Sequence, residues 1–113
     1  MQYVCLIYVP PDLQDMPERD SEVTAKFVAF TKDVIERGVR VASGRLADTS
    51  VATTVRLRGG QRLLSDGPFA EAKEVLAGFY LLDCEDLDEA VDYAARIPSA
   101  AYGAVEVRPV VER

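Results

Sequence analysis

The side chains that could do chemistry in this 113-residue chain fall into two groups. Glu106 and Arg108 stand two apart in the run Val105-Glu106-Val107-Arg108, so within a strand they point to one face. On a covered face the Arg would be a fixed anion-binding fork and the Glu a candidate base. In water the same two residues are an ordinary edge pair worth little energy. Tyr80 sits in the apolar run Leu76–Cys84, where a buried hydroxyl would need a partner, and Arg45 adds a cation near the end of a second strand. The other group is Asp66, Glu71, Lys73 and Glu74, gathered in nine residues around the turn Asp66-Gly67-Pro68-Phe69. As a cleft wall, this segment would offer Asp66 or Glu71 as acid or base and Lys73 to neutralise an anion. As a plain turn, Asp66 caps backbone N–H groups, Phe69 plugs the core and the charges are solvated.

What the chain lacks narrows the chemistry. It has no histidine, which removes Ser–His–Asp and Cys–His catalysis, His-ligated metals and the usual proton carrier near neutral pH. Cys5 and Cys84 are far apart, with no C-x-x-C and no third ligand, so neither a metal centre nor a redox motif is expected. Both read as buried, reduced thiols. Gly59-Gly60 lacks the pattern and following helix of a phosphate loop, no nucleotide fingerprint occurs, and no cofactor is expected. The acidic stretch Asp83–Glu89 lacks the spacing of a calcium loop and reads as a helix start. Metal-free proton transfer remains, with a carboxylate base raised by burial and an Arg or Lys facing a developing oxyanion. A net charge of −6, from 13 basic and 19 acidic residues, argues against binding nucleic acid or an anionic membrane. The apolar start Tyr3–Val9 is too short to span a bilayer and has no basic flank, so a cytoplasmic protein is expected.

Positioning these residues falls to a simple series of elements. Tyr3–Val9 reads as a buried strand closed by Pro10-Pro11, followed by a polar loop to Asp20. Val23, Phe27, Phe30 and Val34 form one helical stripe, capped by Asp20 or Ser21 and ended at Gly38. Val39–Leu46 reads as a strand, and Val51–Arg58 and Gln61–Ser65 as a hairpin turned by Gly59-Gly60. Ala70–Glu74 forms one helical turn or none. Leu76–Cys84 is another buried strand. A second helix carries Leu87, Ala90, Val91, Ala94 and Ile97 behind an Asp86/Glu89 capping box, and Val105, Val107 and Val110 mark a last strand. With the hairpin set aside, the order is β-α-β-β-α-β, a ferredoxin-like α+β fold in a single domain over residues 1–113. Two helices cover one face of such a sheet, so a homodimer packed through the open face is expected.

The segment Ser65-Asp66-Gly67-Pro68-Phe69-Ala70-Glu71-Ala72-Lys73-Glu74 resembles the DGPF-motif branch of the YCII-related family. Gly78-Phe79-Tyr80-Leu81-Leu82-Asp83 and Tyr102-Gly103-Ala104-Val105-Glu106-Val107-Arg108-Pro109 extend the likeness to nearly the whole chain. The resemblance implies a dimeric α+β barrel-like assembly of ferredoxin-like subunits. Distant YCII-related proteins are proposed to use a His–Asp pair, and one is a dehydrochlorinase acting on a chlorinated hydroxyquinol. Asp66 matches the family turn, but without histidine that dyad does not carry over. DGPF-type members are often encoded beside extracytoplasmic-function sigma factors, which implies a regulatory or accessory role.

Two functions are therefore weighed. In one, a cleft on the open sheet face or at the dimer interface binds a small anionic or phenolic ligand. Tyr80, Arg108, Lys73 and Arg45 would bind it, and Asp66, Glu71 and Glu106 would be the candidate catalytic groups. In the other, a non-catalytic module docks its acidic surface on a basic partner such as a sigma factor.

Overall fold

The computed structural model describes residues 1–70 and 72–112 of the chain. Strand β1 (Gln2–Val9) buries every second residue. Helix α2 (Ser21–Glu36) starts where the Asp20 carboxylate accepts from the N–H of Glu22 at 2.9 Å and of Val23 at 3.4 Å. It buries Phe30 and Val34 of the expected stripe. Between them, the predicted loop contains a 3-10 turn (Pro11–Leu13) and a one-turn helix α1 (Met16–Arg19). Neither has an apolar period to betray it; α1 is held by Pro17 in its first turn and an Arg19–Asp15 ion pair.

Four strands form an antiparallel sheet in the order β2-β5-β1-β6, where β2 is Arg40–Arg45, β5 is Val75–Asp83 and β6 is Ala104–Pro109. Helix α2 crosses from β1 to β2 over β5, and α3 (Leu87–Ala95) crosses from β5 to β6 over β1. Asp86 caps α3 through the N–H of Glu89 at 2.9 Å, as the predicted capping box requires, while the Glu89 carboxylate accepts from the N–H of Glu85, one residue ahead of the cap, at 3.4 Å. The core lies between helices and sheet: Tyr3, Cys5, Ile7, Tyr80 and Leu82 meet Phe30, Val34, Ala90 and Ala94.

Hairpin β3–β4 (Thr53–Arg58 and Gln61–Asp66) is a separate two-stranded sheet. Gly59 and Gly60, with φ of 57° and 75°, make the tight turn that only glycine takes without strain at both positions. Val55, Leu57 and Leu64 share one hairpin face and all are exposed. The hairpin stands out from the body: the radius of gyration is 15.7 Å, against about 13 Å for a compact chain of this length. The fold is thus α+β, a four-stranded antiparallel sheet under two helices, plus this hairpin.

Candidate functional site

Strand register decides which candidates can meet. On β1, Cys5 pairs with Tyr80 and Val107, and these side chains face the helices. Val4 pairs with Arg108 and Leu6 with Glu106, and these face the open side. Tyr80 and the Glu106/Arg108 pair therefore occupy opposite faces of the sheet, which rules out the single open-face cleft expected from the sequence. That face is not polar-lined either. Its centre is Val4, Leu6, Tyr8, Phe79 and Leu81, all half-buried, with Glu106 and Arg108 salt-bridged to each other along the edge strand β6.

On the helix side the sheet and α2 enclose a cavity of about 280 Å³. Its floor is Ile7, Ala77 and Gly78, and its walls include Phe27, Thr31, Ser43, Tyr80, Ser99 and Tyr102. The space has a sequence cause. At Ala77-Gly78 the pairing with β1 slips by one residue, a bulge, and the two smallest side chains fall beneath α2. Gly78 is also required by the close approach of β2, because a Cβ there would lie 2.8 Å from the Gly44 carbonyl oxygen.

Most polar groups of the cavity are already engaged. The Tyr80 and Thr31 hydroxyls lie 2.6 Å apart, and the Phe30 ring meets Tyr80 edge-on at 5.1 Å. Burial pushes the Tyr80 phenol above its ordinary pKa, partly offset by the Thr31 bond, and burial likewise raises Tyr102. Both stay neutral at physiological pH. At the mouth, the Arg45 guanidinium grips the Glu18 carboxylate through both oxygens, Nη2 to Oε2 at 2.7 Å, and donates to the Gln14 carbonyl at 3.0 Å. That bond holds the Glu18 carboxyl below the usual carboxylate range. The Gln14 amide donates to the Ala47 carbonyl at 3.1 Å. Among the described residues, no Asp, Glu, Lys or Cys lines the cavity, and no three His, Cys, Asp or Glu side chains converge anywhere.

Of the sequence candidates, Tyr80 and Arg45 reach this cavity. Asp66 ends β4 on the projecting hairpin and is exposed, as is Lys73 beyond it. Glu71 lies outside the described residues. The turn is tied down by Gly67, whose N–H donates to the Ala52 carbonyl at 2.7 Å and whose carbonyl accepts from the Thr54 hydroxyl at 3.0 Å. Among the described residues the Asp66 carboxylate accepts no bond. Phe69 does not plug the core: it is 73% exposed, with the Arg56 guanidinium 4.8 Å from its ring centroid. Sequence reasoning passed over Thr31, Ser99, Ser43, Gln14 and Tyr102. Thr31 alone left a signal, as a polar residue one turn after Phe27 on the buried side of α2.

The YCII-related domain matches the chain over residues 1–113. An uncharacterised protein of Rhizobium meliloti (strain 1021) is 42% identical over 95 residues, covering 82% of this chain and 77% of that one. In three dimensions the chain is similar to 5-chloro-2-hydroxyhydroquinone dehydrochlorinase from Burkholderia phenoliruptrix AC1100, solved in complex with 2,5-dihydroxybenzoquinone. The TM-score is 0.59 at 14% identity, over 100% of this chain and 96% of that one. At that identity the likeness speaks to the fold. The sequence match, spanning every residue, shows that the chain belongs to the YCII-related domain family.

Proposed function

We propose that this protein binds a small, neutral, oxygenated aromatic ring, a phenol or quinone, in the helix-side cavity. The observation that carries the reading is the cavity itself: apolar walls, a few hydroxyls, and no unpaired charge among the described residues. Single rings fit such a space, since an engineered cavity of about 150 Å³ takes up benzene. The quinone bound by the similarly folded dehydrochlorinase belongs to the same ligand class. An anion is disfavoured because the Arg45 guanidinium at the mouth is already paired with Glu18. Proton transfer by Asp66 or Glu106 gains no support from their positions, so the reading is one of binding.

The test is a thermal-shift screen of phenols, hydroquinones, carboxylates and organic phosphates. Hydroquinones and phenols should raise Tm, and Ala77→Phe, which fills the floor, should abolish the rise. Arg108→Ala, on the other face, should leave it intact. Loss of the shift in Arg108→Ala alone would move the site to the open face.

A second copy of the chain is the partner this reading includes, giving a dimeric α+β barrel-like assembly of ferredoxin-like subunits. The half-buried strip Val4, Leu6, Phe79 and Leu81, which neither helix covers, supports it. Leu81→Asp should convert a dimer to a folded monomer in sedimentation velocity; a monomeric parent would refute the assembly. The sigma-factor alternative draws on the family resemblance and on an acidic surface that includes Glu85, Asp86 and Asp88, of which Glu85 and Asp88 are exposed. Of these, Asp86 is engaged within the chain, capping α3 through the N–H of Glu89.

A further inference from the structure

The short 3-10 turn Pro98–Ala101 after α3 brings Ser99 to the cavity wall. Its backbone is fixed, the Ser99 carbonyl accepting from the N–H of Gly103 at 2.8 Å and of Tyr102 at 3.2 Å. The residue is only 1% exposed, yet its Oγ has no hydrogen-bond partner. A buried hydroxyl without a partner is costly, and such groups are rare in folded proteins. Around the same cavity, Thr31 and Tyr80 satisfy each other, Thr24 donates to the Pro17 carbonyl, and Gln14 and Arg45 are engaged as described. Ser43 and Tyr102 are half-buried and within reach of solvent. Among the described residues, Ser99 is thus the buried side chain of the cavity wall whose polar atom has no partner.

Resting on the proposed binding function, we infer that the Ser99 hydroxyl is the hydrogen-bond anchor that makes the cavity select oxygenated rings over hydrocarbons. A hydroxyl donates to a quinone carbonyl and accepts from a phenolic O–H, so one serine serves both the oxidised and the reduced ring. Being neutral, it offers nothing to balance a phenolate or carboxylate. A ligand without the oxygen forgoes this bond and leaves the hydroxyl as it stands in the free protein, so the discrimination is worth about one hydrogen bond.

The test is calorimetric titration with two probes of similar shape, hydroquinone (kept reduced with ascorbate) and p-xylene. The parent should bind hydroquinone more tightly than p-xylene. Ser99→Ala should weaken hydroquinone by about 3- to 10-fold, the worth of one hydrogen bond. It should leave p-xylene unchanged or tighter. Removing an unpaired hydroxyl should not lower the Tm of the unliganded protein, and Ser99→Cys, which keeps the shape, guards against a packing defect. Hydroquinone affinity unchanged in Ser99→Ala but lost in Ala77→Phe would overturn the anchor and keep the cavity. Affinity unchanged in both, or no binding by the parent, would overturn the binding reading with it.

Discussion

Cys5 and Leu6 are neighbours on β1, yet Cys5 is sealed beneath the helices while Leu6 is half-buried on the side the helices leave bare. The same alternation runs along β5, where Tyr80 and Leu82 are buried and Phe79 and Leu81 are not. On the helix side every polar group must find a partner, which is why the Tyr80–Thr31 pair forms and why the unpaired Ser99 hydroxyl stands out. On the bare side an ion pair such as Glu106–Arg108 forms and dissolves at little cost, so charged residues there say little about function. The more informative polar residues are the quiet ones on the buried face.

The largest difference between the faces should appear in stability. Leu82→Ala, at a fully buried position, should cost about 2–5 kcal/mol in urea unfolding. Leu81→Ala, one residue away on the bare side, should cost clearly less in the monomer. Equal costs would mean that the bare side is already covered within one chain.

The mouth of the cavity gives a smaller, pH-dependent contrast. The Arg45 guanidinium lowers the Glu18 pKa in the folded state, so the contribution of this pair is complete above the unfolded carboxylate value of about 4.3. It is lost as pH falls through the lowered folded value. The pair is largely exposed, so Glu18→Gln should cost no more than about 1 kcal/mol at pH 7. That cost should vanish in acid; a difference that persists at pH 2 would show that the side chain acts through packing.

Chemistry separates the faces least at the thiols, because both cysteines lie inward. Burial pushes Cys5 and Cys84 up to about 11, so neither is a thiolate at neutral pH. Iodoacetamide should leave both unmodified in the native protein and alkylate both in urea. Rapid native labelling would mean that the helix side opens.

Much of the fold was legible because its signals are local. The 3.6-residue stripe of α2, the capping box of α3, the glycine pair of the hairpin and the apolar runs of β1 and β5 each determine their element over a few neighbours. The site was less legible because it depends on register. Whether Tyr80 shares a face with Arg108 depends on how β5 and β6 align against β1, and no residue spacing within either strand encodes that. Asp66 drew attention by type, yet it ends a hairpin that makes its hydrogen bonds mainly with itself. Ser99 carried no signal, since a serine in a Pro-Ser-Ala-Ala turn is unremarkable until burial is known.

The central claim is that the functional site lies beneath the helices. Amide chemical-shift mapping by NMR, with hydroquinone titrated into the uniformly labelled protein, tests it most directly. The account predicts that the largest shifts fall on Thr31, Ser43, Ala77, Gly78 and Ser99. Shifts concentrated on Val4, Leu6, Leu81, Glu106 and Arg108 would contradict it and return the site to the open face.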